Sequence, residues 1–191
     1  MRNKIFEFAK RPISGLVRKT RQFEQDQSGV TAVEFAFVIG PFLALLFGVM
    51  KLGIIFFTMF SIDNAVEQAS RHVRTGQAQT TAMTKEQFKA EVCALVPGYV
   101  DCSNNIRVDV QSQPELADIS PPSGTDGGSD LSDDGDFNYE GGSGGDFVLV
   151  TVFFKWDSIP FDYLLDIGNL SDGSFLIRSS ATFRNEPFTG S

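Results

Sequence analysis

One histidine, one tryptophan and two cysteines leave this 191-residue chain little of the usual equipment of an active site. His72, the single histidine, has Arg71 and Arg74 nearby, and neighbouring positive charge makes an imidazole a poorer base. No serine or cysteine has a base partner by spacing, and most carboxylates fall in a glycine-rich stretch that would not hold acid–base geometry. Zinc sites take about four ligands, which one histidine and two cysteines do not supply. The expectation is a non-enzyme with no catalytic residue and no cofactor. Basic residues are also scarce outside the first 29 positions, and the whole chain carries a net charge of −8. An acidic body lacks the positive surface that nucleic acid demands, so nucleic-acid partners are excluded.

Charge is missing altogether from residues 35–50 and again from 52–62, with Lys51 between them. A membrane helix needs about 20 mostly apolar residues, and 33–57 meets that length. A soluble helix would have to hide apolar side chains on every face. Seven basic residues (Arg2, Lys4, Lys10, Arg11, Arg18, Lys19, Arg21) precede this run against three acids (Glu7, Glu24, Asp26). Positive flanks stay in the cytoplasm. The expected topology is a single pass through an inner membrane, with residues 1–29 as a cytoplasmic leader and the body in the periplasm. Cys93 and Cys102 then sit in an oxidising compartment, where their short spacing around Pro97-Gly98 reads as a disulfide; two reduced, buried thiols are the other reading. A secretory signal has its small-residue cleavage site after the apolar run. Here the candidate site, Gly29–Val30, precedes it, so a cut there would leave the helix on the mature protein.

Apolar spacing continues past the bilayer through Ile62, Ala65, Val66, Ala69 and Val73, with Asp63, Glu67, Arg71 and Arg74 on other faces. The helix and its amphipathic stalk thus cover 30–75, about 67 Å at the ordinary helical rise, and Thr75-Gly76 marks the end. Pro41 inside the apolar half is expected to kink or loosen it. A second helix starts at Thr84, where Thr84-x-x-Gln87 fits a capping box and Phe88, Val92 and Leu95 form one face. IRVDVQS (106–112) alternates as a half-buried strand; FVLVTVFFKW (147–156) and SFLIRSSATFRN (174–185) are two more. IPFDYLLDIGNL (159–170) is a loop or short helix. The fold class is therefore α+β: a long N-terminal transmembrane helix with stalk, a short second helix and a small antiparallel sheet, the last two forming a head over 76–191.

Residues 113–146 hold eight glycines and nine acids with no lysine or arginine, and are expected to form a flexible surface loop. Two readings of its acids compete. DLSDDGDFNYEG (130–141) places Asp130, Asp134 and Asp136 at EF-hand positions 1, 5 and 7, but Gly141 stands where a bidentate glutamate belongs. A solvated acidic loop with no metal is the plainer reading. Lys51 is expected to snorkel toward the outer interface.

One acid remains at the mouth of the membrane helix. Glu34 follows Gly29-Val30-Thr31-Ala32-Val33 and is itself followed by Phe35; an acid in hydrocarbon is costly enough to signal a function, and the plainer alternative is that Glu34 reaches headgroup water. A basic leader ending in Gly29, then small or apolar residues, then Glu34-Phe35 and an uninterrupted apolar helix resembles a type IV prepilin junction. The longer run 29–76 resembles the TadE-like segment of tight-adherence (Flp) pilus systems: Gly29, Glu34-Phe35, the internal Pro41, Leu52-Gly53 and Asp63-Asn64-Ala65 stand where that family has them. The family commonly has a glutamate before the Leu-Gly pair, where this chain has Lys51. Cys93, Cys102, YEGGSGGDFVLV and ATFRNEPF look like longer TadE-like proteins.

The resemblance implies a TadE/TadF-type minor pseudopilin cut between Gly29 and Val30 by a prepilin peptidase. It would assemble through Glu34 and Phe35 to initiate or cap a pilus. Implied partners are that peptidase, other pseudopilins and the Flp pilin, the inner-membrane assembly platform and the lipid bilayer. The alternative is an uncleaved single-pass periplasmic binding or scaffold protein.

Overall fold

The computed structural model describes residues 28–127, 130–157 and 167–188. The leader over 1–27, and most of the loop or short helix expected over 159–170, lie outside the described residues. The chain divides into two compact units, Met1–Leu46 and Phe47–Ser191.

Helix α1 (Ser28–Arg74) is built from alanine, leucine, phenylalanine and valine with Pro41 inside it. α1 runs through Pro41 as helix, so the proline does not end it. In the first unit nearly every described side chain of α1 is exposed, so apolar groups point outward in all directions. In the second unit α1 is two-faced. Gly48, Lys51, Ile55, Thr58, Ile62, Ala65, Val66, Ala69 and Val73 recur at three- and four-residue steps and are buried. This is one stripe of a 3.6-residue helix. Arg74 ends α1, and Gly76 turns the chain with φ of 77°. A Cβ on Gly76 would stand 2.5 Å from the Phe188 ring, so both backbone angle and space require glycine.

Three short helices follow: α2 (Gln77–Thr80), α3 (Lys85–Leu95) and α4 (Cys102–Asn105). The capping box expected at Thr84 forms in both directions. Gln87 N–H donates to Thr84 Oγ1 at 3.3 Å, and Thr84 N–H donates to Gln87 Oε1 at 2.8 Å. Phe88 and Val92 bury the inner face of α3, while Leu95, expected on that face, is exposed because the helix ends there. Cys93 and Cys102 are joined as a disulfide with Cα atoms 5.8 Å apart. The single turns α2 and α4 are too short for periodicity to reveal. α4 is nucleated locally by the Asp101 carboxylate, which accepts from the N–H groups of Ser103 and Asn104.

The fold is α+β, with the three expected strands as β1 (Ile106–Gln113), β2 (Phe147–Trp156) and β3 (Phe175–Arg184). They form one antiparallel sheet in the order β1-β2-β3, with Val110 opposite Val150 and Val150 opposite Ala181. Ile106, Val108, Val110, Val148, Val150, Val152, Phe154 and Ile177 pack with the stripe of α1 and with Phe88 and Val92 in one core. Each fully buried side chain of this size contributes roughly 1.5–3 kcal/mol. β2 is buried on both faces, since it is central and its outer face is also covered.

The cover is 113–146, and it corrects the expectation of a loop running free over the surface. Val110 N–H donates to Asn138 carbonyl at 2.9 Å, and Glu140 N–H donates to Val110 carbonyl at 2.8 Å. Phe137 is buried against the Phe153 ring, centroids 5.4 Å apart. Gly124, with φ of 78°, lies so close to Phe153 that a Cβ would stand 2.2 Å from the ring. Composition hid these anchors, because within the segment they come down to Phe137, Gly124 and the backbone on either side of Tyr139.

Candidate assembly helix and the surfaces of the head

Gly29 and Val30 lie in the first turn of α1, both exposed. Glu34 is the one ionisable side chain of α1 in the first unit, and its neighbours along the helix are Val30, Val33, Phe35, Phe37 and Val38, all exposed. Phe35 itself is 63% exposed. A surface so apolar on every side is not stable in water and calls for lipid or other apolar helices. The span Gly29–Arg74 is long and apolar enough to cross a membrane, with a mean hydropathy of 2.2 in its best window.

Within the second unit the exposed side of α1 changes character. Val49, Met50, Leu52, Phe56, Phe57 and Phe60 are exposed and apolar, whereas Asp63, Asn64, Glu67, Gln68 and Arg71 are exposed and polar. The turnover from lipid-like to wet surface therefore falls between Phe60 and Asp63. Lys51 departs from expectation. Rather than snorkelling outward it is 1% exposed, within the buried stripe, and it is not an unpartnered cation. Its position in the 48-51-55-58-62 series puts it on the inward face, which a residue-by-residue hydropathy reading does not see. On the same stripe Thr58 Oγ1 donates to the Ile54 carbonyl and shares a 2.9 Å hydrogen bond with Tyr99 Oη. Tyr99 in turn stacks on Trp156 at 5.9 Å. The disulfide loop is thus tied to both α1 and the end of β2.

His72 bridges α1, α2 and α3: Nε2 is 3.0 Å from Glu91 Oε2, and Nδ1 is 2.8 Å from Gln77 Oε1. Both ring nitrogens thus have partners, one on α2 and one on α3. The acids of 113–146 are distributed among different partners. Lys155 gathers Asp130 at 2.7 Å, Asp172 at 2.8 Å and Asp157 at 3.5 Å. Its ammonium, with Ser174, holds Asp172 well below the ordinary carboxylate range, and with the Leu131 N–H it lowers Asp130. Asp134 pairs with Lys85, whose ammonium also donates to the carbonyls of Asp134 and Phe137. The EF-hand spacing therefore sends Asp130 and Asp134 to two different lysines. Among the described residues no group of three or more His, Cys, Asp or Glu side chains is placed to hold a metal ion. Sequence reading passed over the Lys155 cluster, although a lone lysine in the apolar run of β2 was a usable signal.

Comparison with known proteins resolves the helix. The family model described as TadE-like protein matches residues 29–71. Over these residues the chain is similar to TadE-like proteins. The match opens at Gly29, takes in Glu34, Phe35, Pro41 and Lys51, and stops at Arg71, so the three-stranded head is outside it. No curated protein and no solved structure matches the chain. The likeness over residues 29–71 points to the tight-adherence pilus system.

Proposed function

We propose that this protein is a minor pseudopilin of a tight-adherence pilus, held in the inner membrane by α1 with its head in the periplasm. The observation that carries the reading is the TadE-like match over residues 29–71, whose first part, as far as Leu46, is exposed and apolar save for Glu34. A prepilin peptidase cuts between Gly29 and Val30 on the cytoplasmic side. The new α-amine of Val30 is mostly protonated near neutral pH. In the assembly it meets Glu34 of an adjacent subunit, neutralising a carboxylate that would otherwise be costly in apolar surroundings, and so fixes the helix register. Phe35 and the rest of the exposed apolar surface exchange lipid for neighbouring pilin helices. Other pseudopilins, the Flp pilin and the inner-membrane platform are its partners, and the disulfide-closed head is displayed to initiate or cap the fibre.

Intact mass of the protein from membranes of cells with an active prepilin peptidase tests this. A form beginning at Val30 is expected. The full-length mass would instead favour an uncleaved single-pass scaffold. Glu34→Ala should still be cleaved yet lower pilus output several-fold, counted on the cell surface; unchanged piliation would remove Glu34 from assembly.

A further inference from the structure

Packing against α1 begins well before the helix surface turns wet. Gly48, Lys51, Ile55 and Thr58 are buried on one side of α1, while Val49, Leu52, Phe56 and Phe60 are exposed on the other. The packed and the bare apolar sides therefore overlap from Gly48 to Phe60, roughly 18 Å at the helical rise. About 20 residues of helix cross a hydrocarbon core. Counted from Phe35, the first residue past Glu34, they end at Ile54. On the reading of α1 as a membrane span, Thr58 falls in the next turn, where hydrocarbon gives way to water. The exposed side agrees, since it is apolar at Phe60 and polar from Asp63.

The head brings aromatic side chains to that level. Tyr99 Oη shares a 2.9 Å hydrogen bond with Thr58 Oγ1, and the Tyr99 ring, 52% exposed, stacks on Trp156 at 5.9 Å. The hydroxyl is engaged within the fold, so what Tyr99 offers outward is its ring. Tyr99 belongs to the loop closed by the Cys93–Cys102 disulfide, in which residues 94–100 carry no charge. Gly98 and Tyr99 are exposed there, and Val96 and Pro97 are half-buried. Exposed apolar groups gathered in one place mark a contact surface. Trp and Tyr in particular collect at the membrane–water interface, where an apolar ring meets polar headgroups. Asp101 and Asp157 border the surface and are exposed, which suits zwitterionic rather than anionic lipid.

We infer that Tyr99, Trp156 and the loop tip at Pro97-Gly98 rest on zwitterionic phospholipid headgroups, so that the head is seated on the bilayer beside α1 rather than held clear of it on a stalk. The hydrogen bond to Thr58 sets the height of this contact on the helix. The disulfide closes the loop that carries it, and the stack on Trp156 ties it to the end of β2. The contact continues the lipid-facing side of α1, whose Phe56, Phe57 and Phe60 bracket Thr58 along the helix. The inference rests on α1 being a membrane span and is independent of cleavage at Gly29 and of Glu34.

Trp156 is the single tryptophan of the chain and serves as the probe. The full chain is reconstituted into phosphatidylcholine vesicles whose acyl chains carry bromine either near the glycerol end or near the methyl end. Trp156 emission should fall about twofold with the first lipid and much less with the second. Gly98→Asp should recover most of that lost emission. Gly98 is exposed and an added Cβ there meets nothing within 4 Å, so the charge alters the surface and not the fold. Emission untouched by either lipid would overturn the inference and leave the surface to a protein partner. Stronger quenching from the methyl end, or a Gly98→Asp variant quenched like the parent, would overturn it as well. Protease digestion of the same vesicles tests the premise separately. A protected α1 fragment with unquenched Trp156 removes the seat alone, whereas loss of that fragment removes both the span and the seat.

Discussion

Asp109 stands on the side of β1 that strand alternation assigns to solvent, yet it is 1% exposed beneath 113–146. Burial raises its carboxyl above the ordinary value, opposed by the Asn138 N–H at 2.8 Å and the Gln111 amide at 2.9 Å. With the folded pKa above the unfolded one, folding favours the protonated acid. The stability contributed by that preference is complete below the ordinary carboxylate pKa and lost as pH rises through the folded value. Asp130 and Asp172, lowered through Lys155, have the opposite sign: their contribution is present above the ordinary carboxylate pKa and lost as pH falls. These two are solvent-exposed, so their share is small. Asp109→Asn should therefore gain stability relative to the parent as pH rises from about 4 to about 7. Thermal melts of both proteins across that range check it, and a constant offset would mean that the Asp109 carboxylate is not penalised.

At the scale of the element, the Cys93–Cys102 bridge joins the end of α3 to the start of α4, and Tyr99 within the loop reaches Thr58 on α1. Closing a loop of this size stabilises a fold by about 2–3 kcal/mol, mostly by restricting the unfolded chain. Cys93→Ser with Cys102→Ser should lower the unfolding free energy by that amount, read as a lower denaturant midpoint at unchanged slope, and reductant should have the same effect on the parent but none on the double variant. The secondary structure was largely legible, and for local reasons. Thr84 and Gln87 are three residues apart, so their reciprocal cap is written in adjacent side chains. Ile106, Val108 and Val110 share one face by the two-residue period of any strand.

For the whole molecule, the proposed topology makes a separable prediction. Protease added to spheroplasts should remove the head and leave a membrane-protected fragment containing α1 up to about the Phe60–Asp63 turnover. A head resistant in spheroplasts but digested in lysed cells would place it on the cytoplasmic side. The isolation of Glu34 among exposed apolar side chains was legible because it follows from neighbours along one helix. Lys51 was not, because an outward and an inward lysine look alike until the packed stripe of α1 is known.

The sequence alone determined that an apolar helix leads into an amphipathic stalk, that a capped helix and three strands follow, and that Glu34 is isolated among lipid-like side chains. These are properties of hydropathy, period and nearest neighbours. Only the tertiary structure decided that Lys51 turns inward and that Phe137 and Gly124 pin an acidic segment over the sheet. Each depends on contacts between residues far apart in the chain, where register and packing, rather than local preference, set which groups meet.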